Sequence, residues 1–255
     1  MSKARQIEGY RIEGVAGRGG WSVVHRAVEV ASGRRVALKT VAPELSGDPG
    51  FRERFRRECV IAGALDHPNV PLVLSAGDGW AAMEWIDGAS LRELLPLEPA
   101  RAARIVAQVA DALVALHEAG FVHRDVKPGN VLVGAGDHAY LTDFGIAKPI
   151  DPDPGLTAEG RWLGHVDYAP PEQIRGEPAD ERSDVYALGA TLFHAVTGSV
   201  PFPRDGDAAK MRAHLHEPPP AHDSPLDPVV RRALAKDPAE RYPTAAKLAK
   251  AVRRA

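Results

Sequence analysis

Over the first 85 or so residues, short β-branched runs alternate with glycine and turn residues, whereas beyond them most apolar positions recur at helical spacing. That change of period predicts a strand-rich lobe followed by a helical one, with the join near Trp85 to Gly88. Val23-Val24, Val36-Ala37-Leu38 and Met83-Glu84-Trp85 predict strands, set apart by turns at Ala31-Ser32-Gly33 and Gly77-Asp78-Gly79. One helix falls between them, with Phe51, Phe55, Ala62 and Leu65 on an inward stripe and Glu58 on the same stripe. In the second lobe, Ile105, Val109, Leu113 and Leu116 predict a core helix ending at Gly120. Val185, Leu188, Leu192 and Val196 predict another, ending at Gly198. Pro218-Pro219-Pro220 then breaks the chain before a last pair of helices near Leu226 to Lys236 and Thr244 to Arg253.

A carboxylate on an inward helical stripe needs a partner. Arg52, Arg54, Arg56 and Arg57 crowd the Glu58 helix and offer one, with the reading that they are simply a solvated face. The strand Val36-Ala37-Leu38-Lys39 offers another, because alternation turns Ala37 and Lys39 to one face, and an inward lysine itself needs an anion. Gly17-Arg18-Gly19-Gly20-Trp21-Ser22-Val23-Val24 lies between predicted strands, and its glycines let backbone amides approach a phosphate without a Cβ in the way. A glycine-rich hairpin with no ligand is the competing reading, and a Walker A loop is excluded because no Gly-Lys-Ser/Thr follows.

The densest signal is His123-Arg124-Asp125-Val126-Lys127-Pro128-Gly129-Asn130, then a strand Val131-Leu132-Val133, a turn over Gly134 to Asp137, and Asp143-Phe144-Gly145. Carboxylate and carboxamide oxygens together suit Mg²⁺, a hard cation that completes its shell with water and phosphate. A satisfied polar loop is the plainer alternative.

Length and composition narrow the classes. A chain of 255 residues, 44% hydrophobic and 26% charged, is long enough for a large core, which excludes a disordered tail or a peptide scaffold. Thirty-two Lys and Arg against 34 Asp and Glu leave a formal charge of -2, so no global field holds nucleic acid or anionic lipid. The single cysteine, Cys59, fits a reducing compartment and reads as a small buried hydrophobe. Met1 to Arg11 lacks the apolar run of an export signal, and the greasiest stretch, Ile105 to Val122, is interrupted by Asp111, His117 and Glu118. The expectation is a soluble chain.

The glycine loop, Val-Ala-Leu-Lys, His-Arg-Asp-x-Lys-Pro-x-Asn, Asp-Phe-Gly, Pro-Pro-Glu and Ser-Asp-Val-Tyr-x-Leu-Gly occur in the order found in Hanks-type, eukaryotic-like protein kinases, and the chain resembles their bacterial serine/threonine branch from about Tyr10 to Arg253. The resemblance implies an α+β, bilobal protein-kinase-like fold. Residues 1–86 would be an N-lobe with a small antiparallel sheet and one helix, and residues 87–255 a larger, mainly helical C-lobe; together they form one catalytic domain. By the same resemblance Gly17, Arg18, Gly19, Gly20, Trp21, Ser22 and Val24 form the lid over ATP, Lys39 binds the α/β-phosphates, and Glu58 pairs with Lys39. Met83 is the gatekeeper, Glu84, Trp85 and Ile86 form the hinge to adenine, and Val24 with Ala37 roofs the base. Asp125 is the catalytic base, Lys127 reaches the transferring phosphoryl group, and Asn130 with Asp143 holds Mg²⁺, for which Mn²⁺ can substitute. Asp184 secures the catalytic loop, and Glu172 with Arg241 is a buried structural pair. The implied partners are ATP and protein substrates bearing Ser or Thr, with a homodimer as one route to autophosphorylation, and the implied place is the cytoplasm, either free or as the cytoplasmic domain of a membrane-anchored kinase.

Two positions depart from the family pattern. Ser22 replaces the third lid glycine, with Trp21 at the tip, and His165 stands in Gly164-His165-Val166-Asp167-Tyr168 where such kinases usually place a threonine that hydrogen-bonds the catalytic Asp and Lys. Arg124 is of the type that meets a phosphorylated loop residue, and Thr157 is the only hydroxyl side chain between Gly145 and Gly164, so Thr157 is expected to be an autophosphorylation site. The alternative there is a permanent charge from Asp151 or Asp153. Two rival functions remain at this level: a pseudokinase scaffold, which His165 favours, and a small-molecule phosphotransferase, against which Lys127-Pro128, Pro170-Pro171-Glu172 and the Ser183-Asp184 helix start argue.

Overall fold

A computed structural model describes residues 7–144, 148–149 and 165–255. The chain divides into two compact units, Met1–Asp66 with Pro71–Asp87, and His67–Val70 with Gly88–Ala255. The first unit is an antiparallel sheet of β1 (Tyr10–Arg18), β2 (Ser22–Glu29), β3 (Arg35–Val41), β4 (Val73–Gly77) and β5 (Trp80–Glu84), in the order β1-β2-β3-β5-β4, with one long helix α1 (Pro49–Ala64). Because side chains alternate across a strand, Val36 and Leu38 of β3 share a face with Ala27 and Ala82 of the flanking strands, and Ile7, Tyr10 and Trp80 pack over them. The opposite face carries Val41 and Ala81 beneath Phe55 of α1.

The three strands expected from pattern are the central ones. The two that pattern did not name, β1 and β4, are the sheet edges, where half-exposed positions and glycines blur the alternation. Strand β5 stops at Glu84, one residue short of the expected segment. In α1, Phe55, Glu58, Ala62 and Leu65 are buried as the stripe requires, Phe51 only half so, and the helix opens with Asp48 accepting from the backbone amide of Gly50 at 2.7 Å. Cys59 is half-buried against the Val41–Phe55–Ala81 cluster rather than fully inside, and burial, aided by the neighbouring Glu58 carboxylate, pushes its thiol up to about 11.

The second unit runs through β6 (Ala89–Ser90), α2 (Leu91–Leu94), α3 (Pro99–Glu118), β7 (Phe121–Val122), β8 (Val131–Val133), β9 (Ala139–Leu141) and β10 (Lys148–Pro149). It continues with α4 (Pro171–Arg175), α5 (Glu181–Thr197), α6 (Asp207–His216), α7 (Asp227–Ala233) and α8 (Ala245–Val252). Strands β6, β8 and β9 form a small sheet, and β7 pairs with β10. Helix α3 presents Ile105, Val109, Leu113 and Leu116 inward, all without exposure, and ends at a left-handed Gly120. Helix α5 is buried from Ser183 to Phe193 on nearly every side and so serves as the core of the unit; only Val196 of its expected stripe is half-exposed. Each fully buried Leu of this kind contributes roughly 1.5–3 kcal/mol relative to exposure. A Cβ on Gly189 would fall 2.5 Å from that of Ala233, so a residue without a side chain is what lets α7 lie against α5. Among the described residues no helix is long and apolar enough to cross a membrane.

Candidate active site

In the first unit the sheet register sets one row of residues side by side: Gly17 opposite Val24, Val24 opposite Lys39, and Lys39 opposite Ala81. Cross-strand partners point to the same face, as do residues two apart, so Val24, Ala37, Lys39 and Met83, which is paired with Ala37, share one side of the sheet. Helix α1 covers the Val41 and Ala81 end of that side, while Val24, Ala37 and Met83 are only half-buried, leaving a flat apolar patch beside Lys39. Lys39 and Glu58 are buried and joined as an ion pair. Three arginines of the same helix turn elsewhere: Arg52 pairs with Asp78 and Arg56 with Glu53, and both are exposed along with Arg57; the Arg54 side chain lies outside what the structure describes. The partner for Glu58 foreseen on β3 is the one the fold supplies.

Gly17 and Arg18 end β1, Gly19, Gly20 and Trp21 make the connection, and Ser22 opens β2, with the Gly19 amide donating to the Ser22 carbonyl at 2.8 Å. A Cβ at Gly17 or Gly20 would meet nothing within 4 Å, and neither has a positive φ, so the fold itself does not require glycine at these two places. A ligand drawn close to the backbone would. Glu84, Trp85 and Ile86 follow β5; the Glu84 amide donates to the Leu72 carbonyl at 2.9 Å, and the Trp85 indole donates to Asp87 at 2.7 Å. Asp87 is held in turn by Arg35.

In the second unit the catalytic-loop motif runs between β7 and β8. Asp184, at the start of α5 and wholly buried, accepts from the His123 and Arg124 amides at 2.8 Å each and from His117 Nε2 at 2.7 Å. Two successive amides captured by one carboxylate bend the chain so that Arg124 takes φ 67, a left-handed conformation that a non-glycine residue adopts only when held there. Burial alone would raise the Asp184 carboxyl, but the hydrogen bond and charge of His117, with His123 beyond it, overcome that and leave it below the usual range. His123 accepts from the Asp125 amide on Nδ1 at 3.3 Å and gives Nε2 to the Thr142 carbonyl at 3.2 Å, while its ring packs on Phe144.

The motif residues themselves converge. Lys127 Nζ donates to Asp125 Oδ2 at 2.5 Å, and Asn130 Nδ2 donates to the Asp125 carbonyl at 2.8 Å and to Oδ2 at 2.9 Å. Burial pushes the Asp125 carboxyl up, yet the contact with His165 and the charge and hydrogen bond of Lys127 outweigh it, so the group stays ionised at neutrality. Because Asn130 spends its amide NH₂ on Asp125, its oxygen remains as an acceptor. The Asp143 carboxylate follows β9 at a positive φ of 65, and carboxamide and carboxylate oxygens are both donors of the kind a hard divalent cation takes. Glu172, buried at the start of α4, binds the Arg241 guanidinium through both oxygens at 2.7 Å and accepts from Ser183 Oγ at 2.7 Å.

Thr157, Gly145, Gly164, Asp151 and Asp153 lie outside the described residues. Two residues of this network were not singled out from sequence: His117, which showed only as a break in an apolar run, and Gln173, whose side chain donates to the Arg124 carbonyl at 3.4 Å. The only available sign of His117 was a histidine in the last turn of a helix that leads into the loop.

Comparison with known proteins agrees with this arrangement. The sequence matches the protein kinase domain over residues 10–252. It is 38% identical to serine/threonine-protein kinase PknB of Mycobacterium leprae, over 94% of this chain and 42% of that protein. It is 39% identical to PknJ and 41% to PknD of Mycobacterium tuberculosis, both named serine/threonine-protein kinases, over 98% and 96% of this chain and 46% and 39% of theirs. The chain thus spans less than half the length of these curated relatives. A sheet carrying a buried Lys39–Glu58 pair, a loop clustering Asp125, Lys127 and Asn130, and a match over nearly the whole sequence lead to one conclusion: the chain belongs to the protein kinase domain family.

Proposed function

We propose that this chain is an ATP-dependent serine/threonine protein kinase that transfers the γ-phosphoryl group of Mg·ATP to protein Ser and Thr hydroxyls, phosphorylates itself, and acts in bacterial signalling. Residues 1–86 and 87–255 serve as the N-lobe and C-lobe of one catalytic domain working in the cytoplasm. The observation that carries the reading is the Asp125–Lys127–Asn130 cluster, an ionised carboxylate beside a cation and an oriented carboxamide. A pseudokinase scaffold is not favoured, since the sequence carries Lys39, Glu58, Asp125, Asn130 and Asp143 and the relatives are named as kinases.

In this reading Lys39, fixed by Glu58, binds the α- and β-phosphates, and the amides of Gly17 to Ser22 close over them. The Val24, Ala37 and Met83 patch takes the flat apolar face of adenine, and backbone groups of Glu84 and Ile86 bind its edge. Asn130 and Asp143 hold the divalent cation, which neutralises phosphate charge when bound. Asp125 accepts a hydrogen bond from the acceptor alcohol and aims it; as the new O–P bond forms and the bond to ADP breaks, the hydroxyl proton passes to Asp125, and Lys127 offsets charge on the moving phosphoryl oxygens. Little covalent work falls to the protein, so alignment supplies most of the acceleration.

Radiolabel transfer from ATP to a generic protein acceptor and to the chain itself tests this. Asp125→Asn should lower transfer by at least about a hundredfold, in the range typical of losing a positioned acid or base, and chelating the divalent cation should abolish it. Mass spectrometry of the labelled chain should find phosphate on Thr157, absent in Thr157→Ala. Equal labelling by wild type and Asp125→Asn would refute the assignment.

A further inference from the structure

His165, exposed over 56% of its side chain just before the turn Val166–Tyr168, makes contacts that the mechanism above does not use. Lys127 Nζ lies 2.6 Å from His165 Nδ1. An ammonium has three protons and no lone pair, so this contact is a hydrogen bond only when Nδ1 is unprotonated, which puts the ring's proton on Nε2 and makes the imidazole neutral. The same Nδ1 lies 3.5 Å from Asp125 Oδ1. The donors Lys127 and Asn130 both go to the other oxygen, Oδ2. One ring nitrogen therefore stands between the cation and the carboxylate oxygen that those two donors leave for an incoming hydroxyl. A proton on Nδ1 would reverse both relations at once, repelling Lys127 and presenting Oδ1 with a charged donor.

We propose that His165 is a positioning residue for phosphoryl transfer: neutral, it holds Lys127 and leaves Asp125 Oδ1 to the acceptor hydroxyl, and protonated, it takes that oxygen itself and turns transfer off. The inference rests on the kinase reading given above. The charged groups that His165 touches are Lys127 and Asp125 on the catalytic loop; Asp167, two residues along its own segment, is engaged by Lys210 at 2.7 Å. The local balance is thus set by the catalytic pair, and the switch acts on the acceptor alcohol rather than on the nucleotide.

The test compares wild type with His165→Asn, whose carboxamide oxygen can accept from Lys127 but cannot ionise, and with His165→Leu, which has no acceptor at any pH. With saturating Mg·ATP and casein as acceptor, kcat is measured across pH 5 to 8, the window in which imidazoles change charge. The ratio of wild-type to His165→Asn kcat should fall about tenfold from the alkaline to the acid end, and titration of the nucleotide, common to both enzymes, cancels in that ratio. His165→Leu should be slower than wild type by about tenfold at pH 8, the loss expected for a hydrogen bond to a charged group, with the KM for ATP unchanged. Coincident pH profiles for wild type and His165→Asn, in an enzyme that outpaces Asp125→Asn, would overturn the role of His165 alone. Wild type no faster than Asp125→Asn would overturn the kinase reading beneath it.

Discussion

Arg241 is 1% exposed, and each of its five N–H protons is spoken for. Nε donates to the Ala235 carbonyl, one terminal nitrogen to Glu172 and the Arg182 carbonyl, and the other to Glu172 and the Lys236 carbonyl, over 2.7 to 3.2 Å. Lysine brings three donors on a flexible stem and cannot replace a planar fork that satisfies a carboxylate and three backbone carbonyls. Glu172→Gln leaves the guanidinium buried without its counter-charge, which should cost about 3 to 5 kcal/mol, and Arg241→Lys should cost about 2 to 3 kcal/mol through unsatisfied carbonyls. Urea unfolding at pH 7 measures both; midpoints unchanged from wild type would show that the pair does not hold the fold. The two residues could be matched from sequence because they sit at fixed places in a family pattern. The three carbonyls could not, since backbone brought together by folding leaves no residue-type signature. The same reason hid Gln173, which meets a carbonyl; His117 was hidden by distance instead, since its partner Asp184 lies 67 residues away.

Elements with a strong apolar period were legible and polar ones were not. Helices α3 and α5 ended where left-handed Gly120 and Gly198 predicted, but α6, with Lys210, Arg212, His214 and His216 among its ten residues, has almost no apolar stripe and was passed over. The expected helix from Leu226 to Lys236 exists only as Asp227–Ala233, because Lys236 has left the helix to serve another element. Its ammonium donates to the Ala213 and His214 carbonyls at 3.4 and 2.7 Å, and sits 4.5 Å from the centre of the Phe202 ring. Those carbonyls belong to the last turn of α6; the Glu217 amide already bonds that of Ala213, but that of His214 faces Pro218, which has no N–H to give, and a cation there also opposes the helix dipole. Burial, with Arg241 as a second cause, brings the Lys236 amine down to about 8, so it remains mostly charged at pH 7. Lys236→Met should therefore fray the end of α6: amide exchange over residues 213–217 should quicken by roughly tenfold while exchange in α3 stays as it was, in keeping with about 1.5 kcal/mol for hydrogen bonds to a charged group. Equal protection in both proteins would remove Lys236 as the cap.

At the scale of the molecule, burial of imidazoles fixes how the protein meets acid. Four of the ten histidines, His25, His194, His214 and His222, are held below the ordinary imidazole value, each with burial as the first cause. His214 goes furthest, to about 4, packed between Tyr186 and Phe202 with Lys236 as the next cause. A histidine with a lowered folded value binds its proton more readily when unfolded, so its contribution is whole above about 6.5 and declines as pH falls toward about 4. For His214 alone the decline amounts to about 3 kcal/mol at 1.36 kcal/mol per unit. The lowered carboxyls Asp125 and Asp184 act later: their contribution is whole above the unfolded carboxylate value near 3.9 and is lost only below it. Acid should thus weaken the protein in two stages, histidines first. Three of the four histidines lie in the second unit, which also holds every described α-helix except α1, so far-ultraviolet circular dichroism follows the unit at risk. Urea unfolding read in this way at pH 7.0 and 4.5 should show wild type losing at least about 3 kcal/mol, and His214→Asn, which keeps a polar group facing Tyr186 but cannot take up a proton, losing less by nearly that amount. An equal loss in both proteins would mean that His214 is not held neutral by the fold.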